Sequence, residues 1–102
     1  MRYGLSEKTI EKINSIFSKY RNIDRVFLYG SRAKGNYKNG SDIDLSIESS
    51  SINLQLLCKI ELELDDLLLP YNIDLSLYGD IENRDLKEHI DRVGVTLYSK
   101  NR

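Results

Sequence analysis

The chain has 102 residues, 40% of them hydrophobic and 30% charged, with 15 Lys and Arg against 16 Asp and Glu for a net charge of −1. That length fits one compact domain over residues 1–102 and leaves no span for a second, substrate-holding domain. The balanced charge argues against direct nucleic-acid binding, which draws on a basic excess.

The N-terminus carries no signal-like stretch and no apolar run is long enough to span a membrane, so neither export nor a membrane partner is expected. The only cysteine, Cys58, has no intramolecular partner for a disulfide, which favours a reducing, cytoplasmic setting.

In chain order, Ile10, Ile13, Ile16, Phe17 and Tyr20 recur at helical spacing and predict a helix from Ser6, its N-cap, to about Tyr20. Val26 to Tyr29 is a short run of strand formers ended by Gly30. Residues 31–41, SRAKGNYKNGS, read as a short helical turn followed by a polar, basic loop. Asp42 to Ile47 alternates, with Asp42, Asp44 and Ser46 on one face and Ile43, Leu45 and Ile47 on the other, as in a half-buried strand.

A long helix is expected from Asn53 to about Leu69, closed by Pro70. On it Leu56, Leu57, Ile60, Leu64, Leu67 and Leu68 form one apolar arc facing the core. Leu54, Cys58, Leu62 and Leu69 extend apolar surface around the other side, toward a partner chain, a twin copy in a homodimer, or further core elements; Cys58 itself reads as a small packing residue. Asn72 to Leu77 alternates again, with Asp74 and Ser76 opposite Ile73, Leu75 and Leu77. A helix from Asn83 to Arg92 and a strand from Val95 to Tyr98 complete an α/β (α+β) domain, a small mixed sheet with helices packed against it.

The chemistry lies in Gly30-Ser31, then ten residues, then Asp42-Ile43-Asp44, with Asp74 on a separate strand. Aspartates at i and i+2 of a strand project from one face, and their repulsion is costly unless a cation lies between them. If the strand bearing Asp74 is a neighbour, three carboxylates converge, a donor set suited to Mg²⁺ or Mn²⁺. A strand ending in Gly-Ser before a helical turn presents backbone N–H groups to phosphate, Gly30 permits close approach, and the Ser31 hydroxyl can donate to a phosphate oxygen. Arg32, Lys34 and Lys38 add positive charge beside it. Carboxylates for a metal beside a phosphate cradle suit phosphoryl or nucleotidyl transfer.

These residues resemble the signature of the DNA polymerase β-like nucleotidyltransferase superfamily. The string GSRAKGNYKNGSDIDLSI resembles its smallest branch, the minimal nucleotidyltransferase (MNT) domains of MNT–HEPN toxin–antitoxin pairs, with similarity from about residue 7 to residue 98. The resemblance implies the polymerase β-like fold, with Ser31 contacting the terminal phosphates and Asp42 and Asp44 binding two metal ions. It implies that Asp74 binds the catalytic metal and assists deprotonation of the acceptor, that ATP is the nucleotide, and that the partner is a HEPN ribonuclease toxin silenced by adenylylation of a tyrosine.

Two rivals stay open: a non-catalytic antitoxin that masks the toxin, and an enzyme modifying a small molecule such as an aminoglycoside. Tyr29 and Tyr37 flank the loop and can stack on a base, although burial suits Tyr29 better. His89, with no second His or Cys at ligand spacing, reads as a surface or boundary residue.

Overall fold

The computed structural model describes residues 1–100. Helix α1 (Glu7–Phe17) starts where the Ser6 hydroxyl accepts the Thr9 N–H at 3.1 Å, satisfying a donor that the helix itself leaves open. Strand β1 (Arg25–Tyr29), the single turn α2 (Ser31–Lys34) and strand β2 (Ile43–Glu48) follow. Helix α3 (Leu54–Asp65), strand β3 (Ile73–Leu77), helix α4 (Arg84–Val93) and strand β4 (Val95–Ser99) complete the order. Asn53 and Asn83 cap α3 and α4, accepting from the N–H groups of Leu56 and Leu86 at 2.9 and 3.1 Å.

Several boundaries differ from the sequence reading, and three of them bear on the core and the site. Helix α1 ends at Phe17, where Ser18 caps it, and β2 begins at Ile43, leaving Asp42 just ahead of the strand. Helix α3 ends at Asp65, four residues before Leu69, because the chain tightens into i→i+3 bonds (Leu67 N–H to Leu64 O, Leu68 N–H to Asp65 O) and Leu68 takes a left-handed φ of 53°. That turn throws Leu68 out of the expected core arc to 87% exposure.

The four-stranded sheet has the order β3-β2-β1-β4, with β1 antiparallel to both neighbours and β2 parallel to β3. The parallel pair requires a crossover, which α3 supplies. One face carries Val26, Leu28, Ile43, Leu45, Ile47 and Leu75 into a core with Ile10, Ile13 and Phe17 of α1 and Ile60 and Leu64 of α3. Alternation sends Phe27, Tyr29, Asp44, Ser46, Asp74 and Ser76 to the opposite face. There α4 packs over β1, His89 meeting Tyr29 edge to face, while Tyr78, just before it, meets Phe27 in the same way. No helix among the described residues is long and apolar enough to cross a membrane.

Candidate active site

Strand register builds the acidic part. Asp44 pairs with Asp74 across the parallel β2–β3 ladder, and Tyr29 pairs with Asp44 across β1–β2, so all three side chains leave one face in a lateral row. Neighbouring strands lie about 4.8 Å apart, which sets the lateral spacing of such a row. Ile43 donates its N–H to Asn72 O at 2.8 Å, locking the start of both strands and bringing Asp42 to the same end of the sheet. Asp42 and Asp74 are exposed and Asp44 is half-buried.

The electrostatics of the row are repulsive. Burial first, then the charges of Asp74 and Asp42, hold the Asp44 carboxyl above the usual carboxylate range. Among the described residues the ion pairs are Arg2–Glu7, Lys19–Glu63, Arg25–Glu48 and Lys100–Asp24, and none reaches these three acids. Hard oxygen donors without a basic partner fit Mg²⁺ or Mn²⁺. The three carboxylates share an end of the sheet without closing into a ligand cage, and among the described residues no such cluster of His, Cys, Asp and Glu is drawn together.

Gly30 stands directly against this row. Its backbone, φ 75° and ψ −155°, lies where only glycine is at ease, and a Cβ built on it would overlap Oδ2 of Asp44. The missing side chain therefore makes room for the Asp44 carboxylate. Ser31, half-buried, opens α2, which Gly35 closes at φ 87°.

Arg32 does not sit where the sequence reading puts it. The residue is 2% exposed, and its guanidinium donates to Ser41 O at 2.8 and 3.1 Å and to Tyr3 O at 3.0 Å and lies against the rings of Tyr37 and Tyr71 at 5.3 and 4.7 Å. A side chain so committed pins the loop ahead of Asp42 to the N-terminal segment rather than reaching for phosphate. Replacing Arg32 with Met is expected to lower unfolding stability by about 2–3 kcal/mol, as the half-buried carbonyls of Ser41 and Tyr3 lose a charged donor. A urea titration showing full stability but lost nucleotide binding would reverse that assignment.

Lys34 and Lys38 are exposed on this loop. Tyr37 is 38% exposed, beside a cleft of about 250 Å³ that Arg32, Lys38, Pro70 and Tyr71 also line. Tyr29 is buried, and burial chiefly, with the charges of Asp74 and Asp44 adding to it, pushes its phenol above the ordinary range.

His89 is the residue that spacing does not reveal. It projects from α4 to accept the Gly30 N–H on Nε2 at 3.2 Å, across 59 positions of sequence. Only the packing of α4 over the end of β1 brings the two together.

Three solved structures share this architecture. The chain resembles a chain of a toxin–antitoxin crystal structure with AMP-PNP (TM-score 0.71, 19% identity, covering 95% of this chain and 76% of that one). It resembles a chain of the toxin–antitoxin MntA-HepT (0.69, 16%, 92% and 73%). It likewise resembles a chain of a tri-AMPylated HEPN toxin of Shewanella oneidensis in complex with an MNT antitoxin (0.69, 15%, 93% and 73%). At these identities the fold is what is shared, and no curated protein sequence is significantly similar to the chain. The family described as "Polymerase beta, Nucleotidyltransferase" matches residues 11–102, a span holding Gly30, Ser31 and all three acids, and the chain belongs to that nucleotidyltransferase family.

Proposed function

We propose that this chain adenylylates a hydroxyl of a HEPN-domain toxin, using ATP, and acts as the antitoxin of that pair in the cytoplasm. The observation that carries the reading is the in-register pair Asp44–Asp74 with Gly30, the residue before Ser31, standing against it. Asp42, Asp44 and Asp74 would hold two Mg²⁺ or Mn²⁺ ions, which neutralise triphosphate charge and lower the pKa of the acceptor hydroxyl. The Ser31 hydroxyl and the first-turn N–H groups of α2 would hold the β- and γ-phosphates, with Lys34 adding positive charge from the loop. The acceptor oxygen attacks the α-phosphorus, the bond to the β-phosphate bridge breaks, and pyrophosphate leaves while Asp74 assists removal of the hydroxyl proton.

The family membership supports nucleotidyl transfer. Similarity to chains from structures containing AMP-PNP and an AMPylated HEPN toxin supports ATP and the protein acceptor. A net charge of −1 supports a protein acceptor over nucleic acid.

The test is intact mass of a HEPN-domain toxin after incubation with this chain, Mg²⁺ and ATP. Mass gains in whole AMP units are expected, reduced about 10²–10³-fold in rate by Asp42→Asn, the scale of one lost preorganised electrostatic group. A stable complex with unchanged mass would overturn the enzymatic reading.

One feature favours a masking component alongside modification. Leu54 and Leu62 are 73% and 65% exposed, and with exposed Cys58 between them they form an outward stripe on α3, so Cys58 is not the core packing residue that its apolar helix suggests. Leu62→Glu is expected to weaken toxin binding at least about tenfold, since burial of one leucine contributes roughly 1.5–3 kcal/mol. Unchanged affinity by calorimetry would remove the stripe from the interface.

A further inference from the structure

We infer that His89 is a positioning residue for the phosphate-binding turn, holding Gly30 in its unusual conformation through the Gly30 N–H. The inference rests on the nucleotidyltransfer reading for its consequence and on geometry for its cause. At the end of β1 the backbone must turn out of the sheet, and the Gly30 amide finds its partner in His89 Nε2 at 3.2 Å. To accept that proton the imidazole must be neutral with its own hydrogen on Nδ1. The Tyr29 ring, 6.2 Å from the imidazole and at 80° to it, limits how the ring can move. His89 is half-buried, so the bond is partly shielded from competing water.

The need for such a latch follows from the glycine. Gly30 is the residue least restrained by its own sterics, and it immediately precedes Ser31. Unheld, it would sample other conformations, and the Ser31 hydroxyl and the first turn of α2 would swing with it. The carboxylate of Asp44 stands on the side of Gly30 where a Cβ would be, and His89 engages the amide of the same residue. Together they hold Ser31 beside the Asp44–Asp74 row. Helix α4 thereby has a role that extends beyond covering the sheet: it reaches the phosphate-binding turn through a single side chain.

The test compares His89→Leu, which keeps an apolar body against Tyr29 without an acceptor, with His89→Gln, whose side-chain oxygen can reach a similar position. Hydrogen exchange of the Gly30 amide is followed by NMR in the full chain, together with KM and kcat for ATP in the transfer assay. Expected are faster Gly30 exchange and an ATP KM raised about tenfold in His89→Leu, the effect of one lost hydrogen bond, with kcat within about twofold. His89→Gln should restore both slow exchange and KM.

Unchanged Gly30 exchange in His89→Leu, or an unchanged KM with faster exchange, would overturn the inference. So would a falling kcat at constant KM, or failure of His89→Gln to rescue. If the wild-type chain transfers nothing to any acceptor, the functional reading falls. Titration of the Gly30 amide with magnesium ATP then decides the latch alone: a response in wild type that is weakened in His89→Leu supports it, and identical responses overturn it.

Discussion

Replacing Asp44 with Asn is expected to silence nucleotidyl transfer while making the metal-free protein more stable. The first half follows from position: Asp44 is the middle member of the row Tyr29–Asp44–Asp74 and the carboxylate against which Gly30 is fitted. Loss of one such preorganised group costs about 10²–10³-fold in rate. The second half follows from electrostatics. Burial and the neighbouring charges of Asp74 and Asp42 raise the folded-state pKa of Asp44, so its ionised form is less favourable in the fold than in the unfolded chain.

The sign is therefore opposite to that of a salt-bridged carboxylate. The stability linked to Asp44 is fully present below its unfolded pKa and is lost as pH rises through its raised folded pKa. At neutral pH, with chelator present, Asp44→Asn should melt above wild type, and the gap should close below the ordinary carboxylate range. Like charges directly opposite on paired strands cost at most about 1 kcal/mol, less where solvent screens them. In a domain of this size 1 kcal/mol corresponds to about 4–8 °C in Tm, which sets the scale of the repulsive part, to which burial of the carboxylate, the larger cause, adds. Adding Mg²⁺ should raise the Tm of wild type and leave the variant nearly unmoved. A variant that melts below wild type at neutral pH in chelator would contradict this account of the acids.

Gly30→Ala is the second substitution with a large expected effect, through two separable costs. The backbone conformation is nearly closed to any residue with a Cβ, a strain of about 1–3 kcal/mol. The new methyl group would also displace the Asp44 carboxylate, and a displacement on the order of 1 Å in a catalytic array costs roughly 10²-fold in rate. Gly35→Ala separates the two: Gly35 also has positive φ, at 87°, but a Cβ there meets nothing within 4 Å. That variant should lose stability and keep its turnover per folded molecule. Equal turnover losses in both variants, measured at matched folded fraction, would show that backbone strain rather than the Asp44 collision dominates.

These two predictions use features that the amino-acid sequence discloses only in part. Alternation over Asp42 to Ile47 and Asn72 to Leu77 is enough to put Asp44 and Asp74 opposite apolar faces, because a strand side chain can point only one of two ways. The Gly30-Ser31 motif can be read for the same local reason, since a strand run ends there and a polar, basic turn begins. The caps Ser6, Asn53 and Asn83 mark helix starts, but the end of α3 does not show in periodicity. The leucines continue past Asp65 while the backbone has already turned at Leu68.

What the sequence alone determined, then, is the set of elements, the two faces of each strand and the residue types able to hold a metal and a phosphate, all consequences of interactions within a few positions of the chain. Tertiary structure decided which strands are neighbours and in what register, and hence that Asp74 lies beside Asp44. It also decided that Arg32 is drawn inward to the carbonyls of Ser41 and Tyr3 instead of toward phosphate, since a buried guanidinium takes the acceptors that folding brings to it. His89 meets Gly30 only because α4 folds back over β1, and no spacing along the chain encodes a contact made by packing two elements 59 residues apart.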